Sequence, residues 1–211
     1  MNELFQLESK PMQVALLLFR LMVLNTVTIL CSIPVVTAGT AATAMHTVCL
    51  QLIRGEDPSV LKAYFKAFRS HLKGTFLPWL GTAAVAAILV WDWMLIKSGV
   101  FQFNMLGTVM LCLVAVGFLL WSMWYYLLQS RYENTARQTA KNAALISIRY
   151  FLRSILLLLV GAVPWVILIC AGWTVIIVFF FGFSGAGYLQ SILYGKIFQQ
   201  IEEASLSAEA S

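Results

Sequence analysis

Runs of about twenty apolar residues recur along this 211-residue chain, and that recurrence constrains the fold more than any single residue does. Wound as a helix at about 1.5 Å per residue, each run matches the ~30 Å hydrocarbon core of a bilayer. Six segments can be drawn: 12–33, closed by Pro34; 35–53; 75–96; 103–128; 154–171; and 173–194. The last two are nearly fused. As one helix they would reach about 60 Å, twice a bilayer core, so Gly172 and Trp173 are read as a turn between two spans. Segment 35–53 is the weakest: it is rich in Thr and Ala and holds His46 and Gln51. It reads as a span or as a protein-buried, re-entrant helix. In the second case there are five spans.

Only 11% of the residues are charged, where a soluble domain carries roughly 25%. That excludes a disordered chain, a nucleic-acid-binding domain and an ordinary cytosolic enzyme. The net charge of +5 is read through orientation rather than through an anionic partner. Arg54, Lys62, Lys66, Arg69 and Lys73 lie between the second and third segments. Arg131, Arg137, Lys141, Arg149 and Arg153 lie between the fourth and fifth, whereas the connection after the third has only Lys97. The two basic connections are therefore expected in the cytoplasm, with both termini if segment 35–53 spans. The first residues, with two acids and no basic cluster, do not read as a cleaved signal peptide. Cys31, Cys49, Cys112 and Cys170 all sit in apolar stretches without metal or redox spacing, as small buried side chains do.

Both basic connections read as helices. Lys62, Lys66, Arg69 and Lys73 recur at three- and four-residue spacing, and Val60, Leu61, Tyr64, Phe65, Phe68 and Leu72 are expected to fill the other face. Ser59 is placed to cap this amphipathic helix. A basic face of this kind suits a lipid headgroup surface or the groove of a partner. In the second connection Arg137 and Lys141 lie four apart among Ala136, Ala140 and Ala144.

Asn25, followed by Ser32-Ile33-Pro34-Val35-Val36-Thr37-Ala38-Gly39 and the Ala-rich run beyond, resembles the opening signature of the YesL family of bacterial integral membrane proteins. Arg54-Gly55-Glu56, Phe65 to Phe68, Lys141-Asn142-Ala143 and Tyr188 to Ser191 leading to Lys196-Ile197-Phe198 extend the resemblance along nearly the whole chain. Thr40 stands where the family usually has proline, so a softer backbone break is expected after Gly39. The family is commonly encoded beside carbohydrate ABC-transporter components. The resemblance thus implies an accessory role, with permease subunits as partners and no reaction, ligand or cofactor specified.

No G-x-x-x-x-G-K-[ST] phosphate loop is present, so the chain does not power transport. Glu133-Asn134-Thr135-Ala136 is a poor match to the loop by which importer permeases grip their ATPases. Gly182-Phe183-Ser184-Gly185 matches the short motif of rhomboid-like serine proteases, and His46 falls at a comparable depth. The order is reversed, and neither an orienting carboxylate nor an oxyanion donor set is recognisable. Glycine and serine within spans more often mark close helix contacts. Gly182, Gly187, Ser191 and Gly195 are therefore expected at helix-packing or partner interfaces, together with Asn25, Pro34, Thr37 and Gly39. Asn25 is expected to hydrogen-bond across helices, toward residues 37–43. Arg20 reads as a residue snorkelling to the surface, and Asp92 as an interfacial anchor beside Trp91 and Trp93.

The expectation is an all-α polytopic transmembrane helical bundle in one domain, 1–211, with basic amphipathic connector helices. Its expected function is as an accessory, non-enzymatic membrane subunit of a carbohydrate ABC import system. Its expected partners are permease subunits and anionic lipids, with no cofactor, no metal and no nucleic acid. A stand-alone small-solute transporter or channel is the alternative, and an intramembrane serine hydrolase the third.

Overall fold

The computed structural model of the chain describes residues 10–56, 59–98, 105–132, 135–170, 176 and 178–209, and among these no strand occurs. Helix α1 (Lys10–Ser32) stops where Pro34 forbids helical backbone at Ile33. A single 3-10 turn, Val35–Thr37, reverses the chain into α2 (Ala38–Ile53). The Thr37 hydroxyl shares its hydrogen between the carbonyls of Cys31 (2.7 Å) and Pro34 (2.9 Å), and so reaches the Cys31 carbonyl left open at the end of α1. Helix α2 ends at Gly55, whose φ of 74° is the left-handed conformation that closes a helix C-terminus.

Helix α3 (Val60–Lys97) runs for 38 residues without interruption, about 57 Å. The first basic connector is therefore not a separate element: residues 60–73 and the expected span 75–96 are one helix. Two features of the sequence hid this. Gly74 keeps a helical φ, so it forms no stop. Pro78 sits inside the helix rather than at its start. Helix α4 (Met105–Gln129) returns antiparallel to α3, and α5 (Ala136–Arg149) follows as the expected second connector. A bend at Tyr150 leads into α6 (Phe151–Cys170). Residues 178–182 form a π-helical turn, which opens directly into α7 (Phe183–Glu209).

Among the described residues, five helices are long and apolar enough to cross a membrane: Pro11–Ser32, Val35–Ile53, Val60–Lys97, Met105–Gln129 and Phe151–Ile169. Segment 35–53 is thus a 3-10 turn followed by a helix, long and apolar enough to cross a membrane and largely buried by other helices. The expected turn at Gly172 and Trp173, and residues 174, 175 and 177 of the sixth expected span, 173–194, lie outside the described residues. The remainder of that span is the π-turn and the start of α7.

The burial pattern is inverted relative to a soluble protein. The α2 segment has the lowest mean hydropathy of the five, 1.2, and the largest buried share, 61%. The apolar windows of α3 and α4 reach 1.7 and 2.2 and are only 6% buried. In water, apolar residues would be inside and such large apolar surfaces would not remain open. A lipid surround reverses that preference, because hydrocarbon accepts apolar side chains and rejects unpaired polar ones. The protein is accordingly an integral membrane protein of all-α, polytopic type.

Helix α2 holds the bundle together. It packs against α1, α3, α4 and α7. Val48 and Cys49 join a core with Leu21, Leu24 and Tyr64, and Leu50 joins a second with Trp124, Tyr194 and Phe198. After Thr82, no α3 residue is buried, and before Leu120 no described α4 residue is. The upper α3–α4 hairpin therefore projects about 22 Å beyond the bundle.

Candidate functional site

Residues of six helices meet at the Pro34–Gly39 turn. Trp79, one turn past Gly74 on α3, donates its indole N–H to the Val35 carbonyl at 2.6 Å. Its ring lies flat enough on Gly39 that a Cβ there would stand 2.7 Å from Trp79 Cδ2. Glycine at 39 is thus a steric requirement of the α2–α3 contact. Beside it opens a groove of about 580 Å³, walled by Trp79, Tyr126, Trp165 and Phe183, with Ile33 and Met45. Its hydroxyls are spent internally. Thr28 donates to Leu24 O (2.7 Å), Ser32 donates to Thr28 O (2.7 Å), and Tyr126 shares a 2.6 Å bond with Thr82. The groove is therefore an aromatic, apolar surface.

Asn25 forms the second constellation. It is fully buried, but its amide does not reach residues 37–43 as the sequence suggested. It donates to the carbonyls of Val178 (3.1 Å) and Phe179 (2.6 Å), and accepts the N–H of Ser184 at 2.8 Å. The physical reason is the π-turn. Widening a helix removes the regular i→i−4 partners of these backbone groups, and one primary amide supplies both a donor and an acceptor. Ser184 completes the junction, its hydroxyl donating to Leu21 O at 2.8 Å. That hydroxyl is buried and committed to α1 rather than to His46. His46 instead packs edge-on to Tyr194, with centroids 6.0 Å apart, and its Nδ1 lacks a hydrogen-bond partner.

The other expected contact residues separate by geometry. A Cβ on Gly187 would meet Met45 Cε at 2.7 Å, and one on Gly182 would meet Val178 Cγ1 at 2.6 Å. Ser191 is buried, donating to Gly187 O (2.7 Å) and bonding Tyr194 Oη at 3.0 Å. Gly195 has open space where its Cβ would be. Pro34 and Thr37 build the turn described above. Thr40, in place of the family's proline, lies inside α2 with no break at Gly39, and its buried hydroxyl has no partner.

Sequence reasoning missed a polar junction of α2, α3 and α4. Thr47 bonds His71 Nε2 (3.2 Å) and donates to the carbonyls of Ser130 and Thr43, both at 3.0 Å. The Thr40, Thr43, Thr47 spacing was the available signal. It also missed the anchor in which Trp124 donates its indole N–H to Ser154 Oγ at 2.7 Å. Among the described residues, no three His, Cys, Asp or Glu side chains cluster as a metal site would.

These features define a helical membrane protein whose polar groups serve helix–helix junctions. Residues 17–93, which cover most of α1, all of α2 and most of α3, match the family model described as Protein of unknown function, DUF624. That is the family of YesL-like membrane proteins, so the resemblance carried by Pro34–Gly39 is a family match over this stretch. Neither a curated protein nor a solved structure matches the chain.

Proposed function

We propose that the chain is a non-catalytic accessory subunit of a bacterial carbohydrate ABC import system, packing against permease subunits in the cytoplasmic membrane. The observation that carries this reading is the projecting α3–α4 hairpin, with Ile88, Trp91, Met94, Met105 and Leu113 all more than half exposed. In a bundle already closed around α2, such a hairpin is free to lie along other membrane helices. The sugar-import context rests on the YesL resemblance. Both termini and both basic connections face the cytoplasm in this reading. Affinity purification in mild detergent with mass spectrometry tests it: permease and solute-binding subunits should co-purify.

The aromatic groove favours a second reading, a stand-alone carrier of a small, largely apolar solute. A lone homo-oligomer that moves solute in liposomes would select that reading over the first.

A further inference from the structure

The first four turns of α3 carry a binding strip that neither reading uses. At about 100° per residue, Lys62, Lys66, Arg69 and Lys73 fall within an arc of about 60°, and all four are exposed. Val60, Tyr64 and Ala67 occupy the opposite arc and are buried in the α1–α2 core. Leu61 and Phe65 lie beside the basic row, 47% and 48% exposed. Exposed Arg137 and Lys141 stand on α5, which packs against α4 and touches α3. Neither helix offers counter-charge: α5 contains no acidic residue, and the single acid of α3 is Asp92, about 28 Å beyond Lys73.

We propose that this strip binds anionic phospholipid headgroups, with Lys73 and Arg69 nearest the apolar part of the same helix and Lys66 and Lys62 about 10 and 16 Å farther along its axis than Lys73. Charge complementarity requires an anionic occupant. The strip is continuous with the lipid-exposed hairpin on the same helix, so phospholipid is already its neighbour. Each Lys or Arg near an anionic surface strengthens association about fivefold.

The test uses the purified full chain in a neutral detergent, titrated with phosphatidylglycerol or with phosphatidylcholine. Apparent affinity is read from the dependence of the melting midpoint on lipid concentration. Phosphatidylglycerol should bind at least tenfold more tightly, and raising salt from about 0.1 to 0.5 M should erase the difference. Combined Lys62→Gln, Lys66→Gln, Arg69→Gln and Lys73→Gln should abolish the preference while leaving the helix content unchanged. Should that variant not fold, the salt series on the wild-type chain decides. Equal affinity for the two lipids, a salt-insensitive preference, or a folded variant that keeps the preference would each overturn the proposal. So would an acidic peptide that binds the strip as tightly as phosphatidylglycerol does, which would assign it to a protein partner.

Discussion

Helix α2 and the α3–α4 hairpin obey opposite rules. The first is small, threonine-rich and enclosed; the second is strongly apolar and open. What separates them is what each must satisfy. Within hydrocarbon, apolar association has no water to escape, so helices approach through small residues and hydrogen bonds. Gly39, Ala41 and Ala44 let neighbours come close, and Thr47 bonds two of them. The hairpin has no such neighbours above Thr82, and lipid or another protein meets its leucines and valines.

The sharpest way to break this contrast is a matched pair of glycine substitutions. Gly39→Leu should prevent or severely impair folding, because the Trp79 ring occupies the Cβ position. Overpacking of that kind costs about 3 kcal/mol or more. Gly81→Leu, just before the open part of α3 and with no atom within 4 Å of a Cβ, should shift the melting midpoint in detergent by only a degree or two. Equal losses from both would mean that the hairpin is as tightly packed as α2.

Next in size is Asn25→Ala, which strips the π-turn of its surrogate peptide. Leaving buried donors and acceptors unpaired costs about 2–3 kcal/mol. For a chain of this size that lowers the midpoint by roughly 5–10 °C. An unchanged midpoint would show that the turn relaxes without its amide.

A smaller effect is expected at Ser184. Its hydroxyl makes one neutral bond to Leu21 O, so Ser184→Ala should cost about 1 kcal/mol and leave activity in the native membrane intact. Covalent capture of Ser184 by a fluorophosphonate, lost in His46→Ala, would instead reveal a nucleophile. Gly195→Ala should be the mildest change. With open space around its Cβ and a gain in helix propensity of up to about 1 kcal/mol, it should not lower the midpoint. A loss confined to assembled complexes would place a partner helix there.

Orientation is tested separately, in a background with the four native cysteines replaced. A cysteine at position 66 should resist an impermeant maleimide applied outside whole cells and react after permeabilisation. Labelling from outside would invert the arrangement.

Several features were legible because they depend on local chemistry. The apolar runs fix helices of bilayer length. Pro34 fixes the end of the first helix. The spacing of Lys62, Lys66, Arg69 and Lys73 places them on one face. The continuity of α3 was not legible, because Gly74 and Pro78 are ambiguous until neighbours decide whether the helix stops. The groove could not be read either: Ile33, Trp79, Tyr126 and Trp165 are distant in sequence and share no motif.

Asn25 marks the boundary between the two kinds of knowledge. The sequence by itself determined that a buried carboxamide at membrane depth needs hydrogen-bond partners, since an unpaired amide is expensive there. Only the tertiary structure decided that the partners are Val178, Phe179 and Ser184, more than 150 residues away. They become available solely because the chain widens into a π-turn against α1, and no local propensity specifies that event. The same division holds for α2. Its composition required cover from other helices, and the packing of α1, α3, α4 and α7 determined which ones, by setting how closely each backbone could approach Gly39 and the threonines beyond it.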